Sequence, residues 1–225
     1  MDEALEYNEE VLSDMDCMAF PEHINKIIMS VPNDGIFTFI TQPYETNLMN
    51  YMRFVRINET EAMQIFDHVM KAVYSVYAAG YWHKSIRPEH FVKVDDVWKL
   101  DSLVYLEDYS KAPHLDSEYL WNPLYQPPEC YEKDVRKFSD DDFLPIVVWN
   151  LGSLLLDMFF SVHKLKNYDI LQLYKGKKFT LENIKVKKTD LFSKKLQNIL
   201  ASMLHYDPRY RMKLEEVFST DYLSK

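Results

Sequence analysis

The apolar positions of this chain change their spacing several times, and each spacing predicts an element. Over residues 4–15, Leu5, Val11, Leu12 and Met15 are sparse among acids, the pattern of a short amphipathic helix with an acidic outer face. Residues 25–30 and 35–42 are rich in Ile, Phe and Thr. They flank Pro32-Asn33-Asp34-Gly35, so they read as two strands joined by a turn. Beyond Pro43 the period becomes helical, first over 47–54 and then over 61–79. There Ile65, Phe66, Val69, Met70, Val73, Val76 and Tyr77 make one stripe that must be buried. Asn58, with Glu61 three residues on, starts this helix and Gly80 stops it. Further helices are predicted over 142–162, with Ser139 as cap, over 193–204 and over 214–219. The segment 81–131 has no sustained period.

Composition narrows what such a chain can be. With 225 residues and 47% hydrophobic content it can bury a core as one domain, or one domain with a small appendage. The run 143–160 approaches the length of a membrane span. It contains Asn150 and Asp157, however, so a buried core helix is expected and no membrane association. Cys17 and Cys130 are far apart and in no C-x-x-C pairing, which argues against a disulfide framework or a cysteine zinc site and for a reducing compartment. No secretory or mitochondrial signal is visible, so cytosol or nucleus is expected. The net charge of -9 argues against general nucleic-acid binding. Charge is unevenly placed: residues 1–22 carry acids and no Lys or Arg, whereas 164–195 carry ten lysines against Asp169, Glu182 and Asp190. Only four glycines occur, Gly35, Gly80, Gly152 and Gly176, and they do not cluster. A glycine-rich phosphate cradle is therefore missing.

Five motifs then appear in order. They are His83-Lys84-Ser85-Ile86-Arg87-Pro88-Glu89-His90; Val97-Trp98-Lys99-Leu100-Asp101-Ser102-Leu103-Val104; Tyr125-Gln126-Pro127-Pro128-Glu129; Val148-Trp149-Asn150-Leu151-Gly152; and Asp207-Pro208-Arg209-Tyr210-Arg211. Together they resemble the catalytic loop, D-F-G turn, activation-segment end, central helix and D-P-x-x-R of the protein-kinase superfamily. Within it the chain is most similar to the PIM kinases. That likeness rests on Gln42-Pro43 at the hinge, on Pro127-Pro128-Glu129, and on the run from Trp149 through Met158 preceded by apolar Val147.

The resemblance implies an α+β, mainly α fold: a kinase-like large lobe over 44–225, and over 1–43 a vestigial small lobe of one helix plus a two-stranded hairpin. It also implies a list of losses. The acceptor-orienting aspartate is Ser85, the loop lysine is Arg87, the metal-binding asparagine is His90, and the D-F-G aspartate is Ser102, with Asp101 one residue away as a weak candidate cation ligand. Otherwise Asp101 is a solvated turn residue. Glu9 stands where the small-lobe helix glutamate belongs, which leaves no sequence for the three preceding strands, the glycine loop or the strand lysine. Glu129, Arg211, Trp149 and His83 are read as structural. The expectation is a catalytically inactive pseudokinase, with no cofactor and no resident metal, acting as a protein-binding scaffold or allosteric regulator. The alternative is an atypical protein kinase with weak residual nucleotide binding or phosphoryl transfer.

Without its upper strands the hairpin should present an open backbone edge, which a protein partner or a second copy would cover. Ile36, Phe37 and Phe39 are the candidates there. Lys175, Lys177 and Lys178 mark a second candidate surface, for an acidic peptide, within 164–195.

Overall fold

The computed structural model describes residues 18–33, 36–108, 125–132, 140–160 and 193–219. Strands β1 (Ile27–Asn33) and β2 (Ile36–Thr41) form an antiparallel hairpin in which Met29 faces Ile40, Val31 faces Thr38 and Asn33 faces Ile36, with an irregularity between Ile27 and Met29. Strand β1 starts two residues later than the apolar pattern suggested because Asn25 is used elsewhere. Its N–H donates to the Leu100 carbonyl, and its side-chain amide donates to the Gln42 carbonyl and to Asp101 Oδ1. At its far end β1 runs through Pro32 and Asn33, which the sequence had assigned to the turn. The Gln42 N–H donates to the Lys26 carbonyl, so by strand alternation the even positions of β2 bond to β1 and the odd positions point away. Pro32 lies opposite Phe37, an outward position where a missing N–H breaks no ladder bond.

After β3 (Thr46–Asn47) comes helix α1 (Leu48–Phe54), whose first turn is capped by Asn47 Oδ1 accepting the Asn50 N–H. Helix α2 (Glu59–Ala78) begins at Asn58, as the capping pattern required, with Asn58 Oδ1 accepting the Glu61 N–H. The reciprocal half of the capping box is absent. Glu61 instead accepts the Tyr51 hydroxyl at 2.6 Å, which ties α2 to α1. Gly80 closes the helix at φ +85, a conformation that a side chain would strain.

Among its described residues the segment read as irregular holds four short strands and two 3-10 turns. Strand β4 (Tyr81–His83) pairs with a later strand, β5 (Phe91–Val94) pairs with β6 (Val97–Leu100), and β7 (Leu106–Asp108) is the partner of β4. The second sheet has the order β3-β5-β6. Its β5–β6 turn has positive φ at both Asp95 and Asp96, the geometry of a tight hairpin that usually recruits Asn-Gly or Asp-Gly. Lys93 steadies it, with Nζ 2.7 Å from Asp96 and 3.6 Å from Glu45.

Helices α3 (Glu129–Glu132), α4 (Asp140–Phe160), α5 (Lys194–Met203) and α6 (Leu214–Ser219) complete the described elements. The apolar run predicted as a core helix is α4, buried on all sides from Ile146 to Met158 against α2, α5 and α6. Among the described residues no helix is long and apolar enough to cross a membrane. The architecture is α+β and largely helical, with a small β-lobe whose sheet is not closed.

Gly152 lies close against the C-terminal end of α5. A Cβ built on it would lie 2.9 Å from Met203 Cβ and 3.0 Å from Leu204 Cδ2. Gly152→Ala is therefore expected to lower stability by about 1–3 kcal/mol by overpacking. A lower urea midpoint at unchanged slope would report it, and an unaltered midpoint would show that the two helices separate freely.

Candidate functional site

Pairing of β4 with β7 brings two loops side by side, residues 84–90 and 101–105, and this is where the motif residues gather. His83 ends β4 opposite Leu106, and the Lys84 N–H continues the ladder to the Tyr105 carbonyl. The His83 ring is fully enclosed and bonded at both nitrogens. Nε2–H donates to the Ser102 carbonyl at 2.9 Å and Nδ1 accepts the Ser85 N–H at 3.2 Å. Burial, reinforced by neighbouring His90, pushes its pKa down to about 3, so the ring is neutral and serves as a brace between the loops.

His90 is turned inward as well. Its Nδ1–H donates to the Ser85 carbonyl at 2.6 Å, Nε2 faces Arg87 Nη2 at 3.4 Å, and the ring stacks on Tyr105 with centroids 4.7 Å apart. Burial holds this imidazole below its ordinary value too. Ser85 is buried, with its N–H on His83 and its carbonyl on His90. Loop residues 83–90 are thus closed onto themselves through two imidazoles. Arg87 and Glu89 are half-buried, and the Arg87 Nε and Glu89 Oε2 atoms are enclosed without a hydrogen-bond partner.

Asp101 is not a solvated turn residue. It is half-buried, its N–H donates to the His90 carbonyl, and its Oδ1 accepts the Asn25 amide at 2.6 Å. The correction has a simple cause: Asn25, buried between hairpin and sheet, needs an acceptor. The Ser102 backbone carbonyl accepts from the His83 ring and from the Tyr105 N–H. Among the described residues no group of three or more His, Cys, Asp or Glu is placed to hold a metal ion.

Below these loops lies a second polar cluster. Arg211 grips Glu129 with two bonds, Nη1 to Oε1 at 2.7 Å and Nη2 to Oε2 at 3.0 Å. It also donates to the carbonyls of Pro145 and His205, and its guanidinium lies 4.9 Å from the centre of the buried Trp149 ring. Sequence reasoning missed the neighbouring Tyr125–Asp157 hydrogen bond. Both groups are buried, and burial followed by the adjacent carboxylate raises the Tyr125 pKa well above its usual value, so the phenol stays a donor. The signal was present in Asp157, an acid in the most apolar helix, which required a partner.

Of the strand-edge candidates, Phe39 is half-buried, while the Ile36 and Phe37 side chains lie outside the described residues. Among the described residues β2 has no strand on its outer edge. The hairpin also exposes Ile28 (58%), Met29 (51%) and Val31 (41%) on β1 and Ile40 (44%) on β2. Lys175, Lys177 and Lys178 lie outside the described residues, as does Glu9.

Residues 6–223 match the family model of the protein kinase domain. Serine/threonine-protein kinase 1 of African swine fever virus is 25% identical over 145 residues, 63% of this chain and 46% of that protein. A negative regulator of sexual conjugation and meiosis from Schizosaccharomyces pombe is 24% identical over 153 residues, covering 59% and 30% respectively. Ribosomal protein S6 kinase 2 alpha of Xenopus laevis is 23% identical over 175 residues, covering 75% and 23%. The matches thus span less than half the length of each of these relatives.

Proposed function

Because the chain belongs to the protein kinase domain family yet holds the family's loop in a form closed onto itself, we propose that it is a pseudokinase acting as a protein-binding scaffold or allosteric regulator. The observation that carries this reading is the His83–Ser85–His90 arrangement. Phosphoryl transfer needs a carboxylate to orient the acceptor hydroxyl and oxygen donors for magnesium. The matching positions offer a buried serine and an imidazole with both nitrogens engaged by the protein. A magnesium nucleotide does not fit this donor set: the candidate cation ligand, Asp101, is held by Asn25, and the sequence has no glycine cluster to cover phosphates.

Within the family we place the chain nearest the PIM kinases, on Gln42-Pro43, Pro127-Pro128-Glu129 and the run from Trp149 through Met158. We divide it into a small-lobe remnant over 1–43 and a large lobe over 44–225. Its partner is a protein, or a second copy, that covers the outer edge of β2. Phe39 and Thr41 direct their N–H and C=O groups to that edge, and the same hairpin exposes Ile28, Met29, Val31 and Ile40. In the isolated monomer their amides should exchange with solvent faster than that of Ile40, which faces β1. Protected Phe39 and Thr41 amides in a monomer would remove the physical reason for such a partner.

One observation favours the second reading, an atypical kinase with residual nucleotide binding: Asp101 is a fixed, half-buried carboxylate next to the loop. A thermal-shift measurement separates the two. With millimolar ATP and magnesium or manganese the pseudokinase reading expects no change in midpoint, whereas a ligand bound to the native state raises it.

A further inference from the structure

Trp98 lies on β6, the edge strand of the three-stranded sheet, and histidines from two other elements take both of its backbone groups. His68 of α2 accepts the Trp98 N–H on Nδ1 at 3.2 Å. His23, in the 3-10 turn Pro21–His23, presents its own Nδ1 to the Trp98 carbonyl at 3.4 Å. The partners dictate the protons. An N–H only donates, so His68 Nδ1 is bare, and a carbonyl only accepts, so His23 Nδ1 carries hydrogen. The two rings are 5.0 Å apart. Around them Phe20 N–H donates to Ser75 Oγ at 2.8 Å, Phe20 packs on Tyr74, Ile24 bridges to Leu100, and Asn25 N–H donates to the Leu100 carbonyl. Residues 20–25 are therefore seated along β6 and α2, and they lead directly into β1.

We propose that the two histidines form a pH-operated latch, in which protonation of His68 releases residues 20–25 from β6 and frees the β1–β2 hairpin to move. The two rings are not equivalent. A protonated His68 carries hydrogen on both nitrogens and turns a donor toward the Trp98 N–H, so that bond cannot survive. A protonated His23 keeps its Nδ1–H on the carbonyl and gains a proton at Nε2, which lies 3.8 Å from the Glu22 carboxylate. His68 is the trigger, and a charged His23 adds repulsion. The other charged groups facing the pair are Asp67 and Lys71 of α2, which bind each other at 2.7 Å, so neither supplies an undivided counter-charge. Burial holds both imidazoles below their ordinary value, which keeps the latch shut at neutral pH and opens it on acidification.

Hydrogen exchange of the full chain, corrected for intrinsic rates and followed from about pH 7.5 to about pH 5, tests the latch. The Asn25 and Trp98 amides are expected to lose protection about tenfold per pH unit as pH falls from about 6.5, the ordinary imidazole value, toward the lowered midpoint of His68 in the closed form, as one-proton linkage requires. His68→Gln keeps an acceptor for Trp98 at every pH and should abolish the slope; His23→Gln should retain it. An NMR titration of the wild-type ring protons supplies the same answer without a variant, because the loss of protection must level off at the His68 midpoint. Flat wild-type protection, an equal slope in His68→Gln, a slope lost in His23→Gln alone, or Asn25 and Trp98 amides no less protected than those of residues 83–91 at every pH would each overturn the proposal.

Discussion

Replacing Arg211 with methionine is expected to cost about 3–5 kcal/mol of folding stability, the usual result of removing one partner from a buried ion pair. The Arg211 side chain is wholly enclosed and Glu129 nearly so, which means that the carboxylate left behind cannot recover its hydration. The carbonyls of Pro145 and His205 lose their donor at the same time, and Trp149 loses the cation over its face. For a chain of this size the melting midpoint should fall by roughly 10 °C. Glu129→Gln in the Arg211→Met background removes the stranded charge and should restore part of the loss, but not all of it, since the guanidinium's bonds to the Pro145 and His205 carbonyls stay lost. Urea unfolding of the two single variants and the double measures the coupling. A cost below about 1 kcal/mol for Arg211→Met would show that the pair is as weak as an exposed one.

Acid should unfold this protein early, and His83 is the main reason. Its folded pKa of about 3 lies far below the ordinary imidazole value of 6.5, because burial and neighbouring His90 outweigh the bond to the Ser102 carbonyl. In the unfolded chain the same ring protonates near pH 6.5. The unfolded state therefore binds more protons throughout the interval between these values. Stability is complete above about pH 6.5 and is lost as pH falls toward about 3. For His83 alone the loss by about pH 5 is on the order of 2 kcal/mol. His90 is shifted in the same direction by burial and adds to it. Urea midpoints measured between about pH 7.5 and about pH 5 should decline steadily, and His83→Gln should flatten the decline. A level profile would mean that the ring is not enclosed. The opening at His68 is a local event and should precede this global loss.

Periodicity and capping made the helices legible. Asn58 and Ser193 cap the helices that their spacing announced, and the apolar run after residue 142 became the buried α4. The five strands within residues 46–108 were not legible, because strands of two to four residues carry too little alternation to stand out. The β5–β6 hairpin hid further because its turn is Asp95-Asp96, without the glycine that usually marks such a bend. Motif order brought the loop residues together. It could not tell that Asp101 would be tied to Asn25, or that His90 would spend both nitrogens inside the loop.

By itself the amino-acid sequence determined what short-range forces can write: helix positions from the 3.6-residue period, the start of α2 from its Asn58 cap, and the core from α4. The order of its motifs pointed to the family. Tertiary structure alone decided where the long-range hydrogen bonds go. Trp98 meets His23 and His68, residues 75 and 30 positions away, Asn25 meets Asp101 across 76, and Tyr125 meets Asp157 across 32. Each of these bonds exists because packing buried a polar group that then needed a partner, and burial is a property of the folded whole.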